Sequence, residues 1–324
     1  MSRKGWLLFA IMCVVWGIPY LLIKVADEGV AVPVVVCART ALGALILLPV
    51  AVRSGQLGML RRNWLPLLAF ALLEMIIPWG LLTSAEQRIP SSLAGLLVAA
   101  VPIIGVLVAK LTGGTERLSP RRWAGLLIGL AGVAVLAAPN LNGSSGWPVA
   151  EVLLVAVGYA SAPLIAARKL PDVPPALMTA ACLSVAALVY APSAITELPH
   201  QMPSARVLLS LIGLGVICTA LAFIVFLQLI REVGTSRAMV FTYVNPAVAV
   251  AAGVAVLGEP FTATIAVSFA LILGGCVLAT GTSKPAAPQE SKPQSQPGHS
   301  NSNGASGEAF PAVSGSPPER RPHS

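Results

Sequence analysis

Ten long apolar runs, separated by short polar breaks, set the pattern of this chain. They lie at residues 5–23, 33–52, 64–84, 90–109, 121–138, 148–167, 176–194, 206–229, 237–257 and 262–281. Each holds 18–24 residues. A hydrocarbon core about 30 Å thick needs about 20 residues at a rise of about 1.5 Å each, so every run is long enough to cross. Barrel strands would alternate apolar and polar residues over about 10 positions; these runs do not alternate. Without water to satisfy free amides, such a run must close its backbone hydrogen bonds internally, as a helix. The pattern predicts an all-α integral membrane protein with ten transmembrane helices.

The runs also carry an internal echo. The stretch 91–136 returns about 144 residues later as 235–279. Ser92, Ala94, Pro102, Val106 and Gly114 fall against Ser236, Ala238, Pro246, Val250 and Gly258. After a slip of one residue, Glu116 and Gly132 fall against Glu259 and Gly275. Self-similarity at a fixed period is the signature of a repeat. The uncharged polar break at 140–147 divides the runs five and five. Five is odd, so the second unit would enter the membrane from the opposite face. Two inverted five-helix repeats are therefore expected, at residues 5–138 and 148–281. Inverted repeats build many secondary transporters, with the substrate site at the repeat interface near the midplane.

Composition agrees and adds orientation. The chain is 56% hydrophobic and only 10% charged, against about 25% charged in a soluble domain. Its net charge of +8 does not point to nucleic acid, because the basic residues sit singly or in pairs between apolar runs. With the N-terminus inside, the inner segments hold thirteen Lys and Arg residues, and the outer loops hold three: Lys24, Arg88 and Arg206. By the positive-inside bias both termini are cytoplasmic, in a multi-pass protein of the cell inner membrane. The first run follows Arg3 and Lys4 without a clear cleavage site, and reads as an uncleaved helix rather than a signal peptide. Residues 283–324 are dominated by Ser, Pro, Gln, Gly and Asn and predict a disordered cytoplasmic tail.

The chemistry available inside the runs is sparse. Cys13, Cys37, Cys182, Cys218 and Cys276 have neither zinc-site nor disulfide-framework spacing and read as small buried hydrophobes. His200, His299 and His323 lie outside the runs. The sequence holds no nucleotide loop, metal-ligand cluster or nucleophile–base constellation, so no enzyme activity, cofactor or metal is expected. The sharpest feature is Glu74, near the middle of the third run. A central Asp costs about 2.5–3.5 kcal/mol on an insertion scale, and such residues usually face the bundle interior. Three roles stand open for Glu74: proton coupling, contact with a cationic substrate group, and a structural ion pair or protonated packing residue. Arg39 in the second run either bridges to Glu74 or snorkels to the outer interface. Neither charge has a counterpart in the second repeat, where Cys182 and Ile217 take the matching places.

Prolines at 19, 78, 102, 163 and 246 interrupt the runs. Each removes a helix hydrogen bond and can kink the chain. Pro102 and Pro246 occupy equivalent places and are assigned to bending or gating. Gly125, Gly129 and Gly132 share a helix face, as do Gly274 and Ser268 more loosely, which suits close helix packing. Trp16, Tyr20, Trp79, Tyr159, Ser161, Gln228, Tyr243 and Asn245 make a candidate cavity lining. Trp16 and Tyr159 stand at equivalent positions and are expected to face each other across a pseudo-twofold axis. Asn245 precedes Pro246, and a buried amide there must find partners.

Trp16-Gly17, Pro33 with Arg39, Pro102, Pro246, Glu116 and the Gly258–Pro260 triplet, set in ten spans, resemble the EamA-type branch of the drug/metabolite transporter superfamily. The resemblance covers about residues 5–281. It implies a central cavity lined by the first, third, fourth, sixth, eighth and ninth spans, with Glu74, Trp16, Trp79, Tyr159, Gln228 and Asn245 at or near it. Known members export amino acids, other small metabolites or drugs across the bacterial inner membrane. The implied function is a secondary transporter exporting such molecules by alternating access, with a small-molecule substrate, protons and the bilayer as its partners. A non-transporting receptor or a lipid-handling, flippase-like protein is the alternative.

Overall fold

The apolar runs fold as helices, and the prolines decide where those helices break. A computed structural model describes residues 2–53, 55–112, 119–141, 146–234 and 238–280. The expected tail, Glu116, Ser236 and most of the 140–147 break lie outside the described residues. The chain divides into units Met1–Ser283 and Lys284–Ser324, and the architecture below is that of the first.

The first run is two helices, α1 (Arg3–Val15) and α2 (Pro19–Ala26). The second is α3 (Val32–Arg53), followed by a short helix α4 (Gly58–Arg62). The third comprises α5 (Trp64–Ala71), a π-helical segment Leu72–Ile76 and α6 (Ile77–Glu86). The fourth is split into α7 (Ser91–Val98) and α8 (Val101–Leu111). Then come α9 (Pro120–Leu141), α10 (Gly146–Lys169) and α11 (Pro175–Thr196). The eighth run is α12 (Ala205–Ile212), a π-helical segment Gly213–Leu221 and α13 (Ala222–Val233). A 3₁₀ turn at Met239–Tyr243 leads into α14 (Asn245–Leu257), and α15 (Ala263–Thr280) ends the described chain.

Eight helical stretches among the described residues are long and apolar enough to cross a membrane. Shorter apolar helices take the places of the expected ninth and tenth spans. The ninth is short because Pro246 restarts it after the 3₁₀ turn. Large apolar side chains such as Leu45, Leu188 and Leu209 are exposed on the outer surface, as a lipid-facing belt requires.

Pro19, Pro78, Pro102 and Pro246 each stand in the first turn of a new helix. That position needs no amide hydrogen and suits the fixed proline φ. Pro163 departs from the expectation, lying inside the unbroken α10. Two interruptions were invisible in the apolar pattern: the π segments in the third and eighth runs. They sit at corresponding places, with Ile217 matching Glu74. A π turn inserts one residue into the helical register and frequently marks a functional site.

Packing runs between the two halves of the chain. α3 lies along α11, α9 along α15, α7 against α14, α1 against α13, and α10 against α6. This set of partners maps onto itself when the first five runs are exchanged for the second five. The α9–α15 contact is the tightest. A Cβ on Gly129 would strike Ile103, and one on Gly275 would strike the Gly129 backbone. Gly125 and Gly132 likewise abut α15 backbone atoms. The glycine face expected on α9 is therefore a packing face. Its partner is Gly275 rather than Gly274, beside which there is open space.

Gly275→Val is expected to destabilise the protein by about 1–3 kcal/mol, as overpacking does. Gly274→Ala should stay within about 0.5 kcal/mol of wild type. Thermal melts of the purified protein followed by size-exclusion fluorescence would separate the two.

Candidate functional site

The interior of the bundle is built around the π segment of the third run. Pro78 has no amide hydrogen for the Glu74 carbonyl four residues earlier, and the register widens there. α10 approaches closely at this point: a Cβ on Gly158 would lie 2.6 Å from the Leu73 carbonyl and 3.0 Å from Pro78 Cγ. Tyr190 of α11 donates from its hydroxyl to the Ile76 carbonyl at 2.8 Å. Glu74 is half-buried and Trp79 buried at this junction. Tyr159 of α10 lies within interaction distance of Glu74, Arg39 and Trp79.

Arg39 takes neither of the positions expected for it. It does not snorkel, being only 7% exposed. Nor does it pair with Glu74: among the described residues the side-chain ion pairs are Arg88–Glu151 at 2.8 Å and Arg206–Glu28 at 3.8 Å. Instead its Nε donates to Thr219 Oγ1 at 3.0 Å, and its guanidinium lies 3.7 Å over the Trp79 ring. Thr219 belongs to the second π segment, and its hydroxyl donates to the Leu214 carbonyl five residues back, at 2.8 Å. An arginine is suited to this place because its planar cation stacks on an aromatic face and is weakly hydrated. The result is a buried cation held by neutral groups, beside Tyr20 and Tyr159.

Trp16 joins a different cluster. Its indole Nε1 donates to the Cys218 carbonyl at 3.2 Å. Its ring meets Phe223, Phe226 and Phe241 at centroid distances of 5.6, 5.1 and 5.2 Å. Trp16 and Tyr159 therefore do not face each other. Each packs against the π segment of the other half, Trp16 at Cys218 and Tyr159 at Glu74. Asn245 belongs with Trp16. With its amide oriented to satisfy its neighbours, it donates to the Cys13 carbonyl at 3.2 Å and the Phe241 carbonyl at 3.1 Å. The Cys13 carbonyl is free because the Gly17 amide bonds Val14 instead. Gln228 is exposed on α13, away from both clusters. Ser161 lines a separate cavity of about 240 Å³ between α8 and α10, with Val108, Thr112 and Arg168.

Pro102 and Pro246 mark an asymmetry between the two ends of the bundle. Every residue of α7 from Ser91 to Leu97 is buried, whereas Ile103 is the buried residue of α8. The α7 end is sealed by α14 and α2. It is also latched. Gly258 adopts the left-handed conformation (φ 67°) that glycine tolerates, and the Glu259 amide returns to the Gly253 carbonyl at 3.1 Å. This turn aims Glu259 at the start of α7, where it accepts from the amides of Ser91 (2.7 Å) and Ser92 (2.9 Å). Burial alone would raise the Glu259 carboxyl. The hydrogen bonds from Ser92 and Ser91 outweigh it and hold the group below its ordinary value.

Sequence reasoning missed Thr219, Lys24, Asp27 and Glu86. Thr219 gave no signal, since a lone threonine in an apolar run is ordinary. Glu86 fell two residues beyond the expected end of the third run, but the helix continues through it and buries it.

The chain belongs to the EamA-like transporter family, whose sequence pattern matches residues 3–138 and again 147–281. Fold and family together define a multi-pass membrane transporter. The "Uncharacterized inner membrane transporter YedA" of Escherichia coli (strain K12) is 30% identical over 283 residues, covering 84% of this chain and 89% of that protein. The "Aromatic amino acid exporter YddG" of Ancylobacter novellus is 29% identical over 206 residues, covering 61% of this chain and 69% of that protein. A solved crystal structure at 24% identity shares the fold with a TM-score of 0.61, covering 86% of this chain and 98% of that one.

Glu259→Gln is expected to lower stability by about 1 kcal/mol at neutral pH, as loss of a good helix cap does. The sign follows from linkage. The folded carboxyl titrates below its ordinary value of 4.5, so its contribution is present above 4.5 and is lost as pH falls through the folded value. The gap between wild type and variant in thermal melts should therefore close in acid.

Proposed function

We propose that the protein is an inner-membrane secondary transporter that exports amino acids or similar small metabolites by alternating access between two inverted five-helix repeats. The observation that carries this reading is the interior arrangement of Arg39 and Glu74. Arg39 is a buried cation with no carboxylate within ion-pair distance among the described residues, and Tyr159 lies within reach of both it and Glu74. A zwitterion supplies what each group lacks: its carboxylate for the guanidinium and its ammonium for the Glu74 carboxyl. Tyr20, Trp79 and Tyr159 surround Arg39 with aromatic groups suited to an apolar side chain. The buried α7 and the less buried α8 fit a reading in which the two ends open in turn. The named exporter among the relatives supports the substrate class and the direction.

Counterflow of radiolabelled amino acids in proteoliposomes tests this reading. Aromatic amino acids should exchange, and the corresponding amines, which lack the carboxylate, should not compete. Arg39→Gln should reduce counterflow at least about tenfold, because a charge-assisted bond contributes about 1.5–3 kcal/mol. Equal competition by amino acid and amine would remove Arg39 from recognition.

Orientation has its own test. The basic-rich loops belong in the cytoplasm. In a cysteine-free background, Met59→Cys should label only after the membrane is permeabilised, and Met202→Cys should label in intact cells.

A further inference from the structure

Two carboxyls that the interior site leaves unused lie at the sealed, basic-poor end of the bundle. Asp27 follows α2, and both its side-chain oxygens are buried without a hydrogen-bond partner. Glu86 closes α6, is 0% exposed, and has neither oxygen hydrogen-bonded. Glu86 lies within electrostatic reach of Asp27, Lys24, Glu259 and Arg39.

The cations facing this pair are engaged elsewhere. Lys24 of α2 donates its ammonium to the backbone carbonyls of Glu86 and Ile89, the latter at 3.1 Å. Arg39 of α3 is held by Thr219 and Trp79. Glu259, from the turn after α14, adds a third carboxylate committed to the Ser91 and Ser92 amides. Tyr20 of α2 is a further titratable neighbour of Glu86. At this end Arg88 is paired with Glu151 and Arg206 with Glu28, and the loop between α11 and α12 adds Glu197 and His200. Lys24 thus faces both carboxyls of the pair, whose side-chain oxygens are buried. Two buried carboxylates within electrostatic reach of each other ionise together only at a penalty, whereas a protonated carboxyl carries no charge and gains a donor.

We propose that Asp27 and Glu86 form a proton-binding site that holds a proton while this end of the bundle is closed and releases it when the end opens to water. Burial pushes the Asp27 carboxyl up to about 7, with Lys24 pulling the other way. A proton taken from or returned to the facing compartment would thereby be linked to closure. This coupling rests on the alternating-access reading; the binding of the proton does not.

Infrared spectra of the full-length protein in lipid, stepped from acid to alkaline pH, test the site without substrate. Wild type should lose a protonated-carboxyl band as pH rises through about 7. Asp27→Asn and Glu86→Gln should each remove or shift that band. A band unchanged in both variants overturns the proposal.

Melting curves provide a second readout. A carboxyl raised on folding from 3.8 to about 7 contributes stability below 3.8 that is lost as pH rises to about 7. Wild-type melting temperature should fall across that window, and Asp27→Asn should flatten the fall. The neutral amides mimic the protonated groups, so either variant should equal or exceed wild type at alkaline pH. Lower melting temperatures in both would mean that Lys24 holds ionised carboxylates, which overturns the proposal. Greater stabilisation of wild type by sodium than by choline would assign the pair to a metal cation, and overturns it equally. Neither readout involves a substrate, so the proton site can fail while transport stands, and the reverse.

Discussion

A helix broken inside a lipid bilayer leaves backbone groups that water cannot satisfy, and the rest of this structure depends on how those groups are met. The repairs come from other runs. Asn245 reaches the Cys13 carbonyl, Trp16 the Cys218 carbonyl, and Tyr190 the Ile76 carbonyl. The Cys276 thiol donates to the Ala99 carbonyl at the break before Pro102. Glu259 satisfies the first amides of α7, and Lys24 the carbonyls at the end of α6 and in the following turn. All but the Lys24 bonds cross between the halves of the chain. The breaks that loosen each half are thus the points at which the halves are tied together.

This has a consequence for the charges. A guanidinium inside the bundle could be held by a carboxylate, but such a pair would neutralise both groups. Here the holding is done by a hydroxyl anchored in a π turn and by an indole face. Arg39 is kept in position without a carboxylate partner among the described residues. Glu74 is placed by the matching π turn in the other half, so two equivalent irregularities serve different chemistry. The architecture repeats and the ionisable groups do not.

The two ends of the bundle are stabilised differently. At the α7 end, close packing is reinforced by the Glu259 cap and lies beside the buried Asp27 and Glu86. At the α8 end, the helix is half-buried over most of its length and borders the cavity lined by Ser161 and Arg168. Among the described residues, the carboxyls with buried, unpartnered oxygens belong to the first of these ends.

The apolar pattern alone determined that the chain is helical and membrane-embedded, because run length and the absence of alternation leave no other way to satisfy the backbone in lipid. Of the five prolines it marked, Pro19, Pro78, Pro102 and Pro246 begin new helices while Pro163 lies inside an unbroken one, since proline's missing amide is a local property that neighbouring packing can still accommodate. Glu74 stood out as costly for the same reason. What the pattern left undecided were matters of partnership. Arg39 could reach lipid headgroups or Glu74 by length alone, and only the tertiary packing put Thr219 and Trp79 closer. Trp16 and Tyr159 were equivalent by position, but separate π segments claimed them, so they do not meet. Gln228 carried the right chemistry on the wrong face. Glu86 lay just past an apolar edge, where sequence cannot distinguish a solvated helix end from a buried one. Periodicity and proline act within a few residues along the chain; a side chain's partner depends on which distant helix the fold brings beside it.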